Sequence, residues 1–281
     1  METIKKDVVY AQASGRNLKL NLYHPNSDEK ARTAVLLLHG GAWRFGDIAM
    51  MELFGLELAR HGFVALAPEY RLLGEAPWPS QIEDVKAAIR WTRAHAEALD
   101  IHPDRIAVQG FSAGGHLALL SGGTPDLPAF QGTGGHEDVS DRVAAVVSFF
   151  PIIALSVEKK GQGTNPAAVL LGESATEAQA IQASPLAYVS AAYPPTFLLH
   201  GTADAFVPFR NSLLMFEKLQ EQGAAVELHL YPGHTHEFVR LPSMLASVQS
   251  EIALFLKRMV VDPEKYIREN LDMNMFAKRN S

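Results

Sequence analysis

Apolar residues along the chain follow two recurring patterns, unbroken runs and positions spaced three or four apart. Unbroken runs of five or six apolar residues are typical of parallel strands that helices cover on both faces. Six strands are predicted, at residues 33–38, 63–67, 105–109, 142–150, 195–200 and 225–231. Helical spacing predicts helices at residues 48–61, 80–99, 113–120, 210–222 and 242–261. Strands and helices alternating in this order indicate a parallel sheet with right-handed crossovers.

The start of the chain differs, because residues 7–13 and 17–24 alternate between apolar and polar side chains. The glycine and asparagine within residues 14–17 favour a turn, so an antiparallel hairpin is predicted to open the sheet. The α/β sheet should therefore have eight strands, most of them parallel. At the second helix, Ser80 and Glu83 have the spacing of an N-cap residue and its capping box.

The 281-residue chain is predicted to form one domain over residues 1–261. Within it, residues 151–193 keep only short helical pieces at 166–171 and 176–183, so we interpret them as a small lid or pocket wall. Residues 262–281 form a mildly amphipathic tail. Three placements of this tail stay open: on the body of the domain, on a second subunit of a homodimer, or loose.

Composition and charge narrow the function classes. The net charge is −6 and no run of basic residues occurs, so neither a nucleic-acid backbone nor an anionic membrane is an expected partner. The absence of cysteine excludes disulfides and thiol nucleophiles. The first residues lack the apolar segment of a signal peptide, and no apolar stretch approaches membrane-spanning length, so we expect a cytoplasmic enzyme.

One short motif, Gly110-Phe111-Ser112-Ala113-Gly114, lies between a predicted strand and a predicted helix. A serine at such a turn is held in a strained backbone conformation, and glycines two positions before and after it remove the Cβ atoms that would collide. Its hydroxyl then lies at a helix N-terminus, where developing negative charge is stabilised. Ser112 is therefore predicted to be a nucleophile.

A serine nucleophile needs a base to take its proton and an acid to orient that base. Asp204 follows one buried strand and His236 follows the last strand, so both should reach the sheet edge that carries Ser112. The chain order serine, acid, histidine is the one that an α/β-hydrolase sheet produces. His234 is an alternative to His236 as the base, and the two histidines together are a weak candidate for a metal site. Glu237 is an alternative to Asp204 as the acid only if its loop were refolded.

The segment His39-Gly40-Gly41-Ala42-Trp43 follows a buried strand. A glycine pair lets the backbone approach a substrate closely, so the amides of Gly41 and Ala42, with that of Ala113, are predicted to form an oxyanion hole. Four aromatic residues adjoin the catalytic loops and are candidates for the substrate pocket: Trp43, Trp78, Phe111 and Phe206.

These motifs together resemble the α/β-hydrolase carboxylesterases, in particular the BD-FAE group of acetyl xylan and feruloyl esterases and the neighbouring hormone-sensitive-lipase-like esterases. The resemblance covers about residues 7–260 and rests on ten segments: 39–43, 69–72, 77–79, 84–85, 104–106, 110–118, 184–185, 194–204, 207–208 and 233–238. Ala42, where the lipase-like group has a third glycine, fits the BD-FAE group better. The resemblance implies a cofactor-free serine esterase with Ser112, Asp204 and His236 as catalytic residues, with no metal.

Several other polar residues are assigned structural roles. By the same resemblance, His39 is expected to brace the oxyanion loop through a hydrogen bond. His116 and His200 are expected to be packed structural histidines. The remaining assignments are an ion pair or loop brace for Glu69 and Arg71, and capping or pairing with a neighbour such as Arg105 for Asp84 and Asp104.

The expected substrate is a small-molecule ester with a short acyl chain, acetylated sugars being one class. No cluster of basic residues marks a carboxylate-binding site, which favours neutral esters. Two alternatives stay open: an amidase of the arylformamidase type, and a non-catalytic binding protein on a hydrolase fold. The intact nucleophile, acid and base argue against the second.

Overall fold

The computed structural model describes residues 3–25, 31–158 and 165–279. Its centre is a single eight-stranded sheet. The strands are β1 (Thr3–Ala13), β2 (Arg16–His24), β3 (Ala34–Leu38), β4 (Val64–Pro68), β5 (Ile106–Phe111), β6 (Ala145–Phe149), β7 (Thr196–Gly201) and β8 (Val226–Tyr231). Their order across the sheet is β1-β2-β4-β3-β5-β6-β7-β8.

The pairing of the strands confirms the predicted α/β-hydrolase sheet. β1 and β2 form an antiparallel hairpin, and β2 also runs antiparallel to β4. All other neighbours are parallel, from β4 beside β3 to β7 beside β8. The six parallel strands therefore end at one common edge, where the following loops can place their side chains together.

Helices cover both faces of the sheet. They are α1 (Glu52–Arg60), α2 (Ser80–Ala94), α3 (Ala113–Gly123), α4 (Pro166–Leu171), α5 (Glu177–Gln182), α6 (Arg210–Glu221), α7 (Pro242–Leu256) and α8 (Pro263–Arg279). Alternate residues of β3 enter different cores: Leu36 and Leu38 pack with α2 and α3, whereas Val35 and Leu37 pack with α1 and α7. Burial on both faces explains why these strands are continuous apolar runs.

The start of α2 differs from the prediction. The N-cap is Pro79, which makes no side-chain capping bond, and Ser80 is already the first helical residue. The Ser80 amide donates to the Pro77 carbonyl, so the preceding turn replaces the serine cap. Glu83 does not complete a capping box; its carboxylate lies 3.6 Å from the guanidinium of Arg71. The helix also ends at Ala94 rather than near residue 99.

The two predicted helical pieces of the lid are α4 and α5, and Thr176 caps α5 with a capping box. Part of the predicted lid, residues 159–164, lies outside the described residues. The last body helix ends as α-helix at Leu256 and continues as a π-helical turn to Val261. In the tail, α8 leaves Ile267 and Leu271 exposed, so these two residues do not pack on the body of the domain. That the tail packs on a second subunit stays a prediction.

No helix within the described ranges is both long enough and apolar enough to cross a bilayer.

Candidate active site

Ser112 lies at the sharp turn between β5 and α3. Its backbone has φ 53° and ψ −113°, a conformation that a non-glycine residue adopts only when its surroundings enforce it. Its amide donates to the Phe149 carbonyl at 2.9 Å, which ties the turn to the neighbouring strand. A Cβ atom on Gly110 would lie 2.0 Å from the Gly114 carbonyl oxygen, so the motif glycines are required by close backbone approach.

Asp204 and His236 are hydrogen-bonded at the same edge of the sheet. The distance from His236 Nδ1 to Asp204 Oδ2 is 2.5 Å, and the Asp204 side chain is buried. Asp204 Oδ1 accepts from the amides of Phe206 and Val207, both at 2.9 Å. Burial by itself would raise the pKa of Asp204, but hydrogen bonds from His200, His236 and the Val207 amide outweigh it and hold the pKa well below its usual range.

Ser112 and His236 approach the same end of β6. Ser112 is bonded to Phe149 through its amide, and the ring of Phe150 packs against the ring of His236 with 4.4 Å between centroids. Phe150 has a φ of 37°, so the chain turns sharply where the Ser112 turn and the His236 loop meet. The structure thus brings all three predicted residues to one edge of the sheet.

The predicted oxyanion loop packs directly against the serine turn. A Cβ atom on Gly40 would lie 3.3 Å from Ser112 Cβ. Gly41 has a φ of 119°, and a side chain there would meet the Phe45 carbonyl oxygen at 2.1 Å, so only glycine fits. Among the described residues, the amides of Gly41 and Ala42 donate no hydrogen bond to a protein acceptor. The Ala113 amide is the first of α3 and has no intrahelical partner.

His39 holds this loop, as the resemblance implied. Its Nδ1 lies 2.7 Å from the Gly40 carbonyl, and its ring stacks on Tyr70 at 4.4 Å. The Tyr70 hydroxyl donates to the His39 carbonyl at 2.9 Å. Burial lowers the pKa of His39, which favours the neutral imidazole. Gly46 is required here too, because a Cβ atom would lie 2.2 Å from His39 Nδ1.

The rival residues have other partners. His234 Nδ1 lies 3.1 Å from the Pro232 carbonyl, and Glu237 pairs with Arg240 at 3.4 Å. In the part of the chain that the structure describes, no group of three or more metal-binding side chains is arranged to hold an ion. The geometry therefore pairs His236, and not His234, with the acid.

His200 contributes more than the packing role that sequence reasoning gave it. It is fully buried, and its Nε2 lies 2.9 Å from the Val207 carbonyl and 3.3 Å from Asp204 Oδ2. Its Nδ1 lies 2.8 Å from the buried Ser212 hydroxyl. Since Nε2 faces two acceptors, it carries the proton, and Nδ1 accepts from Ser212. Its position four residues before the acid was the available signal.

The four predicted pocket aromatics occupy three different settings. Trp78 lines a cavity of about 480 Å³ between the 77–79 turn and the lid helices. Phe206 is 84% exposed, and its ring lies 5.6 Å from that of His236. Trp43 is buried against His116 instead. Phe111 lies in the core between Phe54 and Phe149, because strand alternation turns it away from the cavity.

The predicted pairing of Glu69 with Arg71 is wrong. Arg71 forms a bidentate ion pair with the buried carboxylate of Asp84, with bonds of 2.7 and 2.8 Å. Glu69 instead accepts from Arg16 at 2.9 Å and braces the hairpin. Both residues do brace loops, but each pairs with a charge on a different element.

Comparison with known proteins places this site in a family context. A family model described as BD-FAE matches residues 20–219. The probable carboxylic ester hydrolase LipM of Mycobacterium tuberculosis is 32% identical over 226 residues, which are 76% of this chain and 51% of that protein. The chain spans 51–62% of the length of LipM and of three other curated relatives that it matches.

Solved structures match over nearly the whole chain. A thermophilic esterase from Thermogutta terrifontis, Est2, superposes with a TM-score of 0.77 at 31% identity, covering 94% of each chain. A truncated carbohydrate esterase from gut microbiota superposes with a TM-score of 0.78 at 26% identity, covering 91% of this chain and 96% of that one.

Proposed function

Because the chain belongs to the BD-FAE family, we propose that it is a serine carboxylesterase acting through an acyl-enzyme intermediate. The observation that carries the proposal is the buried 2.5 Å bond between Asp204 and His236 at the sheet edge where Ser112 is held in its strained turn. Esterases among the relatives of similar sequence and fold support the same class of reaction.

In the proposed mechanism, His236 donates its Nδ1 proton in the hydrogen bond to Asp204, which leaves Nε2 free to act as the base. Nε2 takes the proton of Ser112 as the serine oxygen attacks the ester carbonyl. The carbonyl oxygen gains negative charge, which the amides of Gly41, Ala42 and Ala113 stabilise, each worth about 3 kcal/mol in the transition state.

The tetrahedral intermediate collapses when the protonated histidine gives its proton to the leaving alkoxide, so the alcohol departs and the acyl group stays on the serine. A water molecule then repeats the sequence: His236 takes its proton, the hydroxide attacks the acyl carbonyl, and the proton returns to the Ser112 oxygen. The products are one alcohol and one carboxylic acid, and the residues named supply every proton transfer.

We propose short-chain esters of small molecules as substrates, with acetylated sugars as one class. The similarity to a carbohydrate esterase supports this choice. The exposed Phe206 beside His236 supplies an apolar rim against which a small acyl or alcohol group can rest.

The test is Ser112→Ala. We expect its turnover of p-nitrophenyl acetate to fall at least about a thousandfold, because the nucleophile is lost while the oxyanion hole remains. Thr235→Ala, an exposed change in the His236 loop, is the matched control and should keep its activity. Circular dichroism checks that both variants fold, and turnover that survives Ser112→Ala would disprove the mechanism.

Two further assays separate the alternatives. Wild-type protein should react with a fluorophosphonate probe at Ser112, and a protein that stays unlabelled would indicate a non-catalytic binding function. Parallel turnover of N-formylkynurenine and an aryl ester separates an amidase of the arylformamidase type from an esterase. The proposed esterase hydrolyses the ester much faster.

A further inference from the structure

Arg44 is an arginine beside the oxyanion loop. It lies two residues after Ala42 and is exposed. Its guanidinium makes no hydrogen bond or ion pair with any residue that the structure describes. Two other arginines near the site form ion pairs within the protein, Arg71 with Asp84 and Arg240 with Glu237. Arg44 therefore keeps its five donors available to a ligand.

This guanidinium lines the cavity of about 480 Å³ described above. Among the described lining residues, Arg44 is the only charged one, and the other polar side chains are Gln179 and Gln182 of α5. The remaining lining is apolar and includes the rings of Trp78 and Phe130. One cation, two amides and an apolar wall fit a ligand that has a hydrocarbon body and a single negative charge.

The cavity is connected to the catalytic serine through packed side chains. The rings of Trp78 and His116 have centroids 5.9 Å apart. His116 lies one turn along α3 from the serine, and its amide donates to the Ser112 carbonyl at 2.9 Å. On the other side, Arg44 is joined to the oxyanion loop by the backbone, since its amide donates to the Gly41 carbonyl at 3.0 Å.

We propose that the cavity binds a carboxylate-bearing part of the ester substrate, with the Arg44 guanidinium paired to the carboxylate. The planar fork of arginine matches the two oxygens of a carboxylate, and a single arginine balances its single charge. The amides of Gln179 and Gln182 can donate to the remaining lone pairs. The inference rests on the proposed esterase function and replaces the expectation of neutral esters, which considered only clusters of basic residues.

The experiment compares charged and neutral esters of equal length. For the acyl side, the pair is 4-nitrophenyl hydrogen adipate and 4-nitrophenyl hexanoate; for the alcohol side, it is 3-(4-acetoxyphenyl)propanoate and its methyl ester. The quantity measured is the ratio of kcat/KM for the charged ester to kcat/KM for the neutral one. It is measured in wild type, in Arg44→Gln and in Arg268→Gln, an exposed change in α8 that alters net charge equally.

We expect Arg44→Gln to lower this ratio about tenfold in one of the two pairs, because a charge-assisted bidentate contact is lost. The affected pair identifies whether the acyl or the alcohol half enters the cavity. Arg268→Gln should leave both ratios unchanged, which excludes a general effect of net charge. Added salt should reduce the wild-type ratio, since an exposed guanidinium is screened.

Unchanged ratios in both pairs for Arg44→Gln would overturn the inference. This outcome differs from failure of the proposed function, in which wild type would hydrolyse neither the charged nor the neutral esters. A protein that turns over the neutral esters but shows no effect of Arg44 is an esterase with a different substrate class.

Discussion

Among single residues, Asp204, the proposed catalytic acid, is held by two histidines rather than one. Asp204 Oδ2 faces His236 at 2.5 Å and His200 at 3.3 Å, while Oδ1 is used by two backbone amides. His200 also lies 2.9 Å from the Val207 carbonyl, so it joins both ends of the loop that carries the acid. We interpret His200 as a positioning residue that acts through Asp204.

Replacing His200 by leucine should lower kcat/KM about tenfold, which is the scale of one hydrogen bond to a charged group. The His200 bond lowers the pKa of Asp204, so its loss raises that pKa. The acid limb of the pH profile should therefore move to higher pH. Kinetics across pH 4–8, with unfolding checked by calorimetry, measure both effects.

His200→Gln is the matched control, because its side-chain amide keeps an N–H donor toward the acid. It should recover part of the rate and of the pH profile. A His200→Leu variant that loses stability but keeps the wild-type pH profile would show that His200 serves packing alone.

Among the helices and strands, α2 holds the long loop between α3 and β6 through an ion pair and hydrogen bonds. Lys86, fully buried, bonds to Asp141 at 2.8 Å and to the Thr124 carbonyl. One turn further, Arg90 donates to the Gln131 carbonyl at 2.9 Å and to the Gly135 carbonyl at 3.1 Å. Three carbonyls of the loop thus accept hydrogen bonds from cations of the helix.

Lys86→Met should lower the free energy of unfolding by about 3–5 kcal/mol, because it leaves the buried Asp141 carboxylate without its counter-charge. Removing both charges, as Lys86→Met with Asp141→Leu, should cost less than the two single changes added together. Urea unfolding of the four proteins gives the coupling free energy. Additive losses would show that the pair is not coupled and that the loop is held by other contacts.

The elements were largely predictable because each strand and helix leaves a local pattern. β3 and β4 are apolar throughout, since both faces are covered. β2 alternates in sequence, although both of its faces are buried from Leu20 to Tyr23. The capping box failed because Glu83 is used by Arg71, whose position depends on the tertiary fold. Spacing alone does not show which distant charge a side chain will meet.

Part of the candidate site could be predicted from the sequence and part could not. Ser112, Asp204 and His236 could be placed from sequence because each follows a recognisable strand, and parallel strands end together. The cavity could not be placed, since its lining comes from five separated segments. The role of Arg44 follows from its having no partner among the described residues, which spacing does not show. Phe111 and Trp43 were assigned to the pocket from their neighbours in sequence, but side-chain direction turns both into the core.

At the scale of the whole molecule, His116 connects the serine helix to the lid. Its Nε2 lies 2.7 Å from the Ala183 carbonyl, so Nε2 carries the proton of a neutral ring. Its Nδ1 is buried and has no hydrogen-bond partner among the described residues. Trp43 and Trp78 pack around the ring, and none of the carboxylates that the structure describes is bonded to it. A proton on Nδ1 would therefore be an uncompensated buried charge.

Burial lowers the pKa of His116 to about 4, against 6.5 for the free side chain, and the bond to Ala183 opposes this only in part. Between these two values the unfolded chain binds a proton that the folded chain does not, so the free energy of unfolding falls as pH falls. The loss reaches about 3 kcal/mol by pH 4. Asp204 acts in the same direction, mostly below the pKa of an unfolded aspartate, and its contribution is the same in wild type and in a His116 variant.

Urea unfolding at pH 7 and pH 4 of wild type and His116→Gln tests this argument. The glutamine keeps an N–H for Ala183 and does not titrate, so the variant should lose about 3 kcal/mol less than wild type over this interval. His39, which is also buried with a lowered pKa, contributes equally to both proteins and cancels in the comparison. Equal losses in the two proteins would place the acid sensitivity elsewhere. A smaller loss in the variant would show that one buried histidine ties the stability of the whole fold to pH.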